Sequence, residues 1–147
     1  MKSKTFALIL LCCAASLGAK VKLPALVGDN MILQQQTEVK LWGTAAPKAE
    51  VRVTPSWNGQ TSTCRADKDG RWLLAVKTPA AGYTPYEITF DDGEKTTLKN
   101  VLIGEVWLTS GQSNMEMPLK GFAGCCIMNG VDDIIASAEN KGVRMLT

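Results

Sequence analysis

The 147 residues contain no histidine. That absence removes the side chain most often used as a general base near neutral pH, and it removes the imidazole ligands of most catalytic zinc sites. Long apolar runs are also scarce. The longest near the start, Phe6–Leu17, spans 12 residues, whereas a bilayer-crossing helix needs about 20. An excess of either charge is missing too: discounting Lys2 and Lys4, 14 basic side chains face 14 acidic ones. Nothing in that balance favours nucleic acid or an anionic membrane as a partner. Cysteine is sparse and unpaired in pattern. Cys12 and Cys13 fall in the leader, which leaves Cys64, Cys125 and Cys126. An odd count argues against a disulfide scaffold. The adjacent Cys125 and Cys126 suit neither a relaxed disulfide nor a zinc site, and no function is assigned to them. The sequence implies no metal and no cofactor.

What is present begins with Met1-Lys2-Ser3-Lys4 ahead of the Phe6–Leu17 run and the small residues Gly18 and Ala19. A basic start, a short apolar stretch and a small-residue end make an export signal, with cleavage expected after Gly18 or Ala19. Leu11 stands before Cys12 where a lipoprotein signal would carry a small residue. The expectation is an exported protein, periplasmic or extracellular, with no membrane association once residues 1–19 are removed.

From residue 20 to 100 the apolar side chains recur at period two. Val39 and Leu41, Val51 and Val53, then Trp72, Leu74 and Val76, then Tyr86, Ile88 and Phe90 are separated by Ala46-Pro47, Asn58-Gly59, Asp69-Gly70, Ala81-Gly82 and Asp92-Gly93. Short alternating runs between turn residues predict a β-sandwich, immunoglobulin-like or jelly-roll-like. Cys64, in Thr61–Arg65, reads as a small core residue. Asp67-Lys68-Asp69-Gly70 is not a calcium loop, because an EF-hand starting at Asp67 would need Gly and Glu where Trp72 and Thr78 stand. It is expected to be a hairpin turn with Gly70 at positive φ. Trp42, Trp72 and Trp107 lie among aliphatic residues and read as core, while Trp57, beside Asn58-Gly59, is expected to be exposed.

The stretch Val101–Pro118 breaks from an apolar run into a small polar turn around Ser113. Val106–Leu108 suit a buried strand, and Gly111 lets the chain turn so that Ser113 stands at the strand's carboxyl end, where ligands bind in open α/β sheets. A nucleophilic serine needs such a perch, with backbone N–H groups near the developing oxyanion. The competing reading is a capping box, Ser113 with Glu116 three residues on. Pro118 limits any helix starting at Ser113 to about one turn, which weakens it. Further on, Val131, Ile134, Ile135 and Ala138 fall at helical spacing, with Asp132 and Asp133 in the first turn, Asn140-Lys141-Gly142 as C-cap and Val143–Thr147 opening a strand. Residues 101–147 therefore read as one β-α-β unit.

Gly111-Gln112-Ser113-Asn114-Met115-Glu116-Met117-Pro118 after Val101–Ser110 resembles the nucleophile block of the sialate O-acetylesterases, a branch of the SGNH-type (GDSL-like) serine esterases. Gly28–Gln34, Leu41-Trp42-Gly43 and Ala66–Trp72 stand in the order of that family's N-terminal β domain, so the resemblance covers nearly all of the chain after residue 22. It implies a mainly β N-terminal sandwich followed by the start of an α/β/α hydrolase domain, incomplete here. It also implies a secreted esterase acting on O-acetylated sialic acid or another acetylated glycan. Ser113 would attack the acetyl carbonyl with its own N–H on the oxyanion, and Gly111, Gln112 and Asn114 would shape the turn. The family's catalytic Asp and His lie downstream of such a block and are absent from this sequence. The expectation is thus the N-terminal part of a longer enzyme, catalytically silent by itself. The alternative is a non-catalytic β-sandwich module that binds glycans or packs on a partner domain.

Overall fold

The computed structural model describes residues 20–138 and 142–145, so the expected leader and its cleavage point lie outside the described residues. Seven strands form in order: β1 (Ile32–Gln34), β2 (Glu38–Thr44), β3 (Glu50–Pro55), β4 (Ser62–Arg65), β5 (Arg71–Lys77), β6 (Gly82–Asp91) and β7 (Lys95–Gly104). They make a five-stranded sheet, β1-β7-β6-β3-β4, and a two-stranded sheet, β2-β5. All pairs are antiparallel except β1 with β7.

Period-two patterning fixes which face of each strand is buried. Along β5, Trp72, Leu74 and Val76 point inward and Arg71, Leu73, Ala75 and Lys77 outward. Val51 and Val53 from β3, Ile88 and Phe90 from β6, and Leu98, Val101 and Ile103 from β7 join Leu41 of β2 in a single core shared by both sheets. Phe90 is fully buried and meets Trp72 at a ring separation of 5.8 Å. Each such side chain contributes about 1.5–3 kcal/mol through burial, so these alternating positions dominate the stability of residues 20–104. Cys64 packs against this core, and burial pushes its thiol pKa up.

Every strand expected from alternation is present, and Gly70 does hold a positive φ of 80°. The turn it serves is not a hairpin, however. β4 pairs with β3 and β5 with β2, so residues 66–70 carry the chain from one sheet to the other. The Asp67 carboxylate organises that crossing by accepting from the Asp69 and Arg71 N–H groups, both at 2.8 Å. The tryptophan expectations also need correction. Trp42 points to the outer face of β2 and is 39% exposed. Trp57 is partly buried, donates Nε1–H to the Lys77 carbonyl at 3.0 Å and meets Tyr86 edge-on. A turn position thus partly covers an indole whose polar edge has found a backbone acceptor.

The largest departure lies after β7. Val106–Leu108 form no strand and are 51%, 82% and 96% exposed, so Trp107 is not core either. The reason is the length of the partners. β1 pairs with β7 only as far as Gln34 opposite Gly104, and β6 only as far as Gly82 opposite Ile103. Beyond them no described strand offers a ladder, and apolar side chains alone do not order an unpaired strand. The expected helix does form, as α1 (Gly130–Ser137), with Asp132 and Asp133 in its first turn. Its Val131, Ile134 and Ile135 are exposed. Of the expected C-cap, Asn140 and Lys141 lie outside the described residues, and Val143–Met145 are not a strand. The expected β-α-β unit is therefore a lone helix between two irregular segments.

Candidate functional site

The chain leaves β7 at Gly104 and is handled at once by two glutamines of the β1 end. Gln34 Nε2 donates to one oxygen of the Glu105 carboxylate at 2.8 Å, and Gln35 Nε2 to the other at 2.6 Å. The Gln34 amide oxygen accepts from the Val106 N–H at 2.8 Å, so this side chain continues the β1–β7 ladder one step past the end of β1. Gln35 in turn accepts from the Ala81 N–H through its amide oxygen at 2.8 Å. Gln34 closes the Gly28–Gln34 block of the resemblance, but neither its role nor that of Gln35 is legible in the sequence, because a run of three polar amides carries no periodic signal. Their positions directly after the β1 apolar residues were the available clue.

These two amides donate to the charged form of Glu105 and hold its carboxyl pKa below the usual range. A depressed folded pKa means that the bond's contribution is present above the unfolded value and is lost as pH falls through the folded one. In a carboxyl-shift NMR titration, Glu105 should have its midpoint below the ordinary glutamate range, and joint Gln34→Ala and Gln35→Ala substitution should raise it back toward that range. An unchanged midpoint in the double variant would sink this assignment.

Ser113 opens a one-turn 3₁₀ segment, Ser113–Glu116, and is exposed. Among the described residues its Oγ has no hydrogen-bond partner, so the capping box with Glu116 is not made. The turn is closed instead by the backbone, Met115 N–H donating to the Gln112 carbonyl at 2.8 Å. Gly111 lies against Met115, where an added Cβ would stand 2.6 Å from Cγ. The lack of a side chain at 111 is what lets Met115 fold back under the turn. Gln112 is exposed beside Ser113, and Asn114 follows inside the same turn. The four residues singled out from the sequence thus share one tight turn, in which Gly111, Gln112 and Ser113 are exposed and the serine hydroxyl has no partner among the described residues.

After the serine the chain turns at Pro118–Gly121 and makes a small loop in which Phe122 and Cys125 exchange backbone hydrogen bonds of 3.0 and 2.9 Å. Cys125 and Cys126 are free and exposed. Among the described residues no group of three or more His, Cys, Asp or Glu could hold a metal ion. Chemically, the turn presents an exposed hydroxyl, and no hydrogen-bond partner takes its proton among the described residues.

No protein-family profile matches the chain. Curated relatives do. It is 29% identical over 143 residues to the sialate O-acetylesterases of Pongo abelii and Homo sapiens, and 28% identical over 142 residues to that of Mus musculus. In each case about 90% of this chain is matched. The chain spans about a quarter of the length of these relatives. Among solved structures, a carbohydrate acetylesterase from Xanthomonas citri superposes with a TM-score of 0.68 at 32% identity, over 81% of this chain and 26% of that one.

Proposed function

We propose, from the homology of this chain with the sialate O-acetylesterases, that it is the β-sandwich and nucleophile-bearing part of an exported carboxylic ester hydrolase. Its substrate class is O-acetylated sialic acid or another acetylated glycan. The observation that carries this is the serine turn itself. Ser113 stands exposed on a one-turn perch, its hydroxyl without a partner among the described residues, inside a segment shared with proteins whose names record acetyl-ester chemistry.

The mechanism follows from what a serine needs. Oγ attacks the acetyl carbonyl, the C–O bond to the sugar breaks, and an acetyl-serine forms that water later hydrolyses. The Ser113 N–H is the donor closest by connectivity to the developing oxyanion, with Gly111, Gln112 and Asn114 setting the turn around it. The proton of Oγ needs a base, and the side chain most often used for it, histidine, is missing from the sequence. Export rests on Lys2, Lys4 and the apolar run Phe6–Leu17.

A transplant tests the reading. Residues 22–145 replace the superposing quarter of the Xanthomonas citri acetylesterase, and acetate release is followed on acetylated sugars. Turnover within about a hundredfold of the host is expected, since a misplacement of about 1 Å costs that much. A chimera that melts like its host and releases no acetate would sink the proposal.

The zero histidine count also sustains a second reading, a non-catalytic module that binds glycans or packs on a partner domain. Trp57 weakens its glycan-binding form, because the one tryptophan expected to be an open stacking surface is partly buried on Tyr86.

A further inference from the structure

The block Asp29–Gln35 touches the serine-bearing segment twice, at its two ends. At the entry, Gln34 and Gln35 hold Glu105 and the Val106 N–H as described above. At the exit, the Arg144 guanidinium donates from one Nη to the carbonyls of Met31 (2.9 Å) and Asn100 (2.5 Å), and from the other Nη to the Asn100 side-chain oxygen (3.0 Å). Three oxygens around one planar fork make a specific seat for an arginine, which a lysine ammonium cannot fill in the same way.

That seat is itself built. Asn100 holds a φ of 56° and Asn30 a φ of 63°, a left-handed backbone that Asn tolerates better than most residues. Asn100 Nδ2 donates to the Asn30 side-chain oxygen at 2.7 Å, which turns the Asn100 oxygen toward Arg144. The Asn30 N–H reaches the Lys99 carbonyl at 3.0 Å, and the Asp29 carboxylate accepts from the Lys99 N–H at 2.7 Å. The corner at 29–31 and the irregular step of β7 at 99–100 are thereby locked together, and oxygens from both converge on the guanidinium, the Met31 carbonyl while also accepting from the Leu102 N–H at 3.1 Å. β1 is the edge strand of the five-stranded sheet, so both grips lie along one edge of the fold. A cavity of about 310 Å³ at this edge is lined by Ile32, Tyr83, Leu102, Glu105 and Gly142.

We propose that Asp29–Gln35 is a docking seat that fixes both ends of the segment 105–144 on the β1 edge, with Gln34, Gln35, Asn100 and Arg144 acting as positioning residues for Ser113. The role toward Ser113 rests on the esterase reading; the docking itself does not. With its entry and exit pinned to a rigid sheet, a segment that has little regular structure of its own keeps a defined place, and the serine turn within it is presented from a fixed base.

The test uses the 147-residue chain and backbone ¹⁵N relaxation. Glu105, Val106 and Arg144 should show order parameters near about 0.85, the rigid range. Arg144→Lys and Asn100→Gly should each drop Arg144 below about 0.6 while β5 and β6 stay rigid. Glycine is chosen at 100 because it keeps the positive φ while removing the amide. Gln34→Glu sets two carboxylates against each other and should release Glu105 and Val106. Adding Glu105→Gln reverses the pair, since the amide at 105 donates to the carboxylate at 34 while its oxygen still accepts from Gln35 and the carboxylate at 34 still accepts from the Val106 N–H, and should return both residues to the rigid range. That rescue separates a specific grip from general destabilisation. Unchanged order parameters in Arg144→Lys and Gln34→Glu, failure of the rescue, or loss of order spreading through β6 would each overturn the docking seat. Because Ser113 chemistry enters none of these readouts, such a result would leave the esterase reading intact, and loss of the esterase reading would leave the seat intact.

Discussion

Replacing Gly70 by alanine should destabilise the β region by about 2–3 kcal/mol, well beyond the roughly 1 kcal/mol that a positive φ alone costs. The excess comes from position. At a φ of 80° a Cβ on residue 70 would stand 2.5 Å from the Ala45 carbonyl oxygen, a backbone atom with no rotamer to escape into. Ala45 is also tied to the turn, since its N–H donates to the Gly70 carbonyl at 2.8 Å. Moving residues 45 and 70 apart would therefore cost that hydrogen bond as well, about another 1 kcal/mol. Gly59 makes the natural control: its φ is 66°, yet nothing lies within 4 Å of where its Cβ would be. Gly59→Ala should thus lose only the backbone term, and Lys68→Ala, on an exposed side chain of the same crossing, almost nothing. For a domain of this size each kcal/mol moves Tm by about 4–8 °C. Thermal melts should therefore rank Gly70→Ala well below Gly59→Ala, with Lys68→Ala near the parent. Equal shifts for the two glycines would show that the Ala45 contact contributes nothing.

The Gly70 case shows how far the sequence could be read. Its positive φ was legible from Asp69-Gly70 ahead of an alternating run, because turn chemistry is local. The Ala45 contact was not, because it depends on β4 and β5 belonging to different sheets, and strand partners are chosen by distant residues. The same division holds elsewhere. β3, β5 and the core half of β6 follow from side-chain period. β1, only three residues long, has no period to show, and β7 runs past residue 100 to Gly104, across the boundary at which alternation gave out. Val106–Leu108 carry strand-forming side chains, yet a strand is a property of a pair, and β1 and β6 stop pairing beside Gly104 and Ile103. The site divides likewise. Gly111–Asn114 were recognisable as a tight turn from residue type. Gln34, Gln35, Asn100 and Arg144 were not, since polar groups that meet across 44 to 113 positions leave no mark at short range.

In a chimera that carries residues 22–145 within the Xanthomonas citri acetylesterase framework, Ser113→Ala should lower kcat by at least about a thousandfold, as expected when a nucleophile that acts with a base and an oxyanion donor is removed. Folding should not change, because Ser113 is exposed and makes no hydrogen bond through Oγ among the described residues. KM should shift little, since the hydroxyl acts on the acetyl carbon and does not hold the sugar. The isolated 147-residue chain should behave differently. It contains no histidine, and a serine hydroxyl that cannot hand over its proton is a poor nucleophile at neutral pH. It should therefore hydrolyse an activated acetyl ester no faster than its own Ser113→Ala variant. The pair of measurements separates two errors. A chimera whose turnover survives Ser113→Ala would mean that the nucleophile lies elsewhere. Serine-dependent turnover by the short chain would mean that a group within these 147 residues, other than histidine, takes the proton, and the exposed Glu116, three residues along the same turn, would be the first to replace.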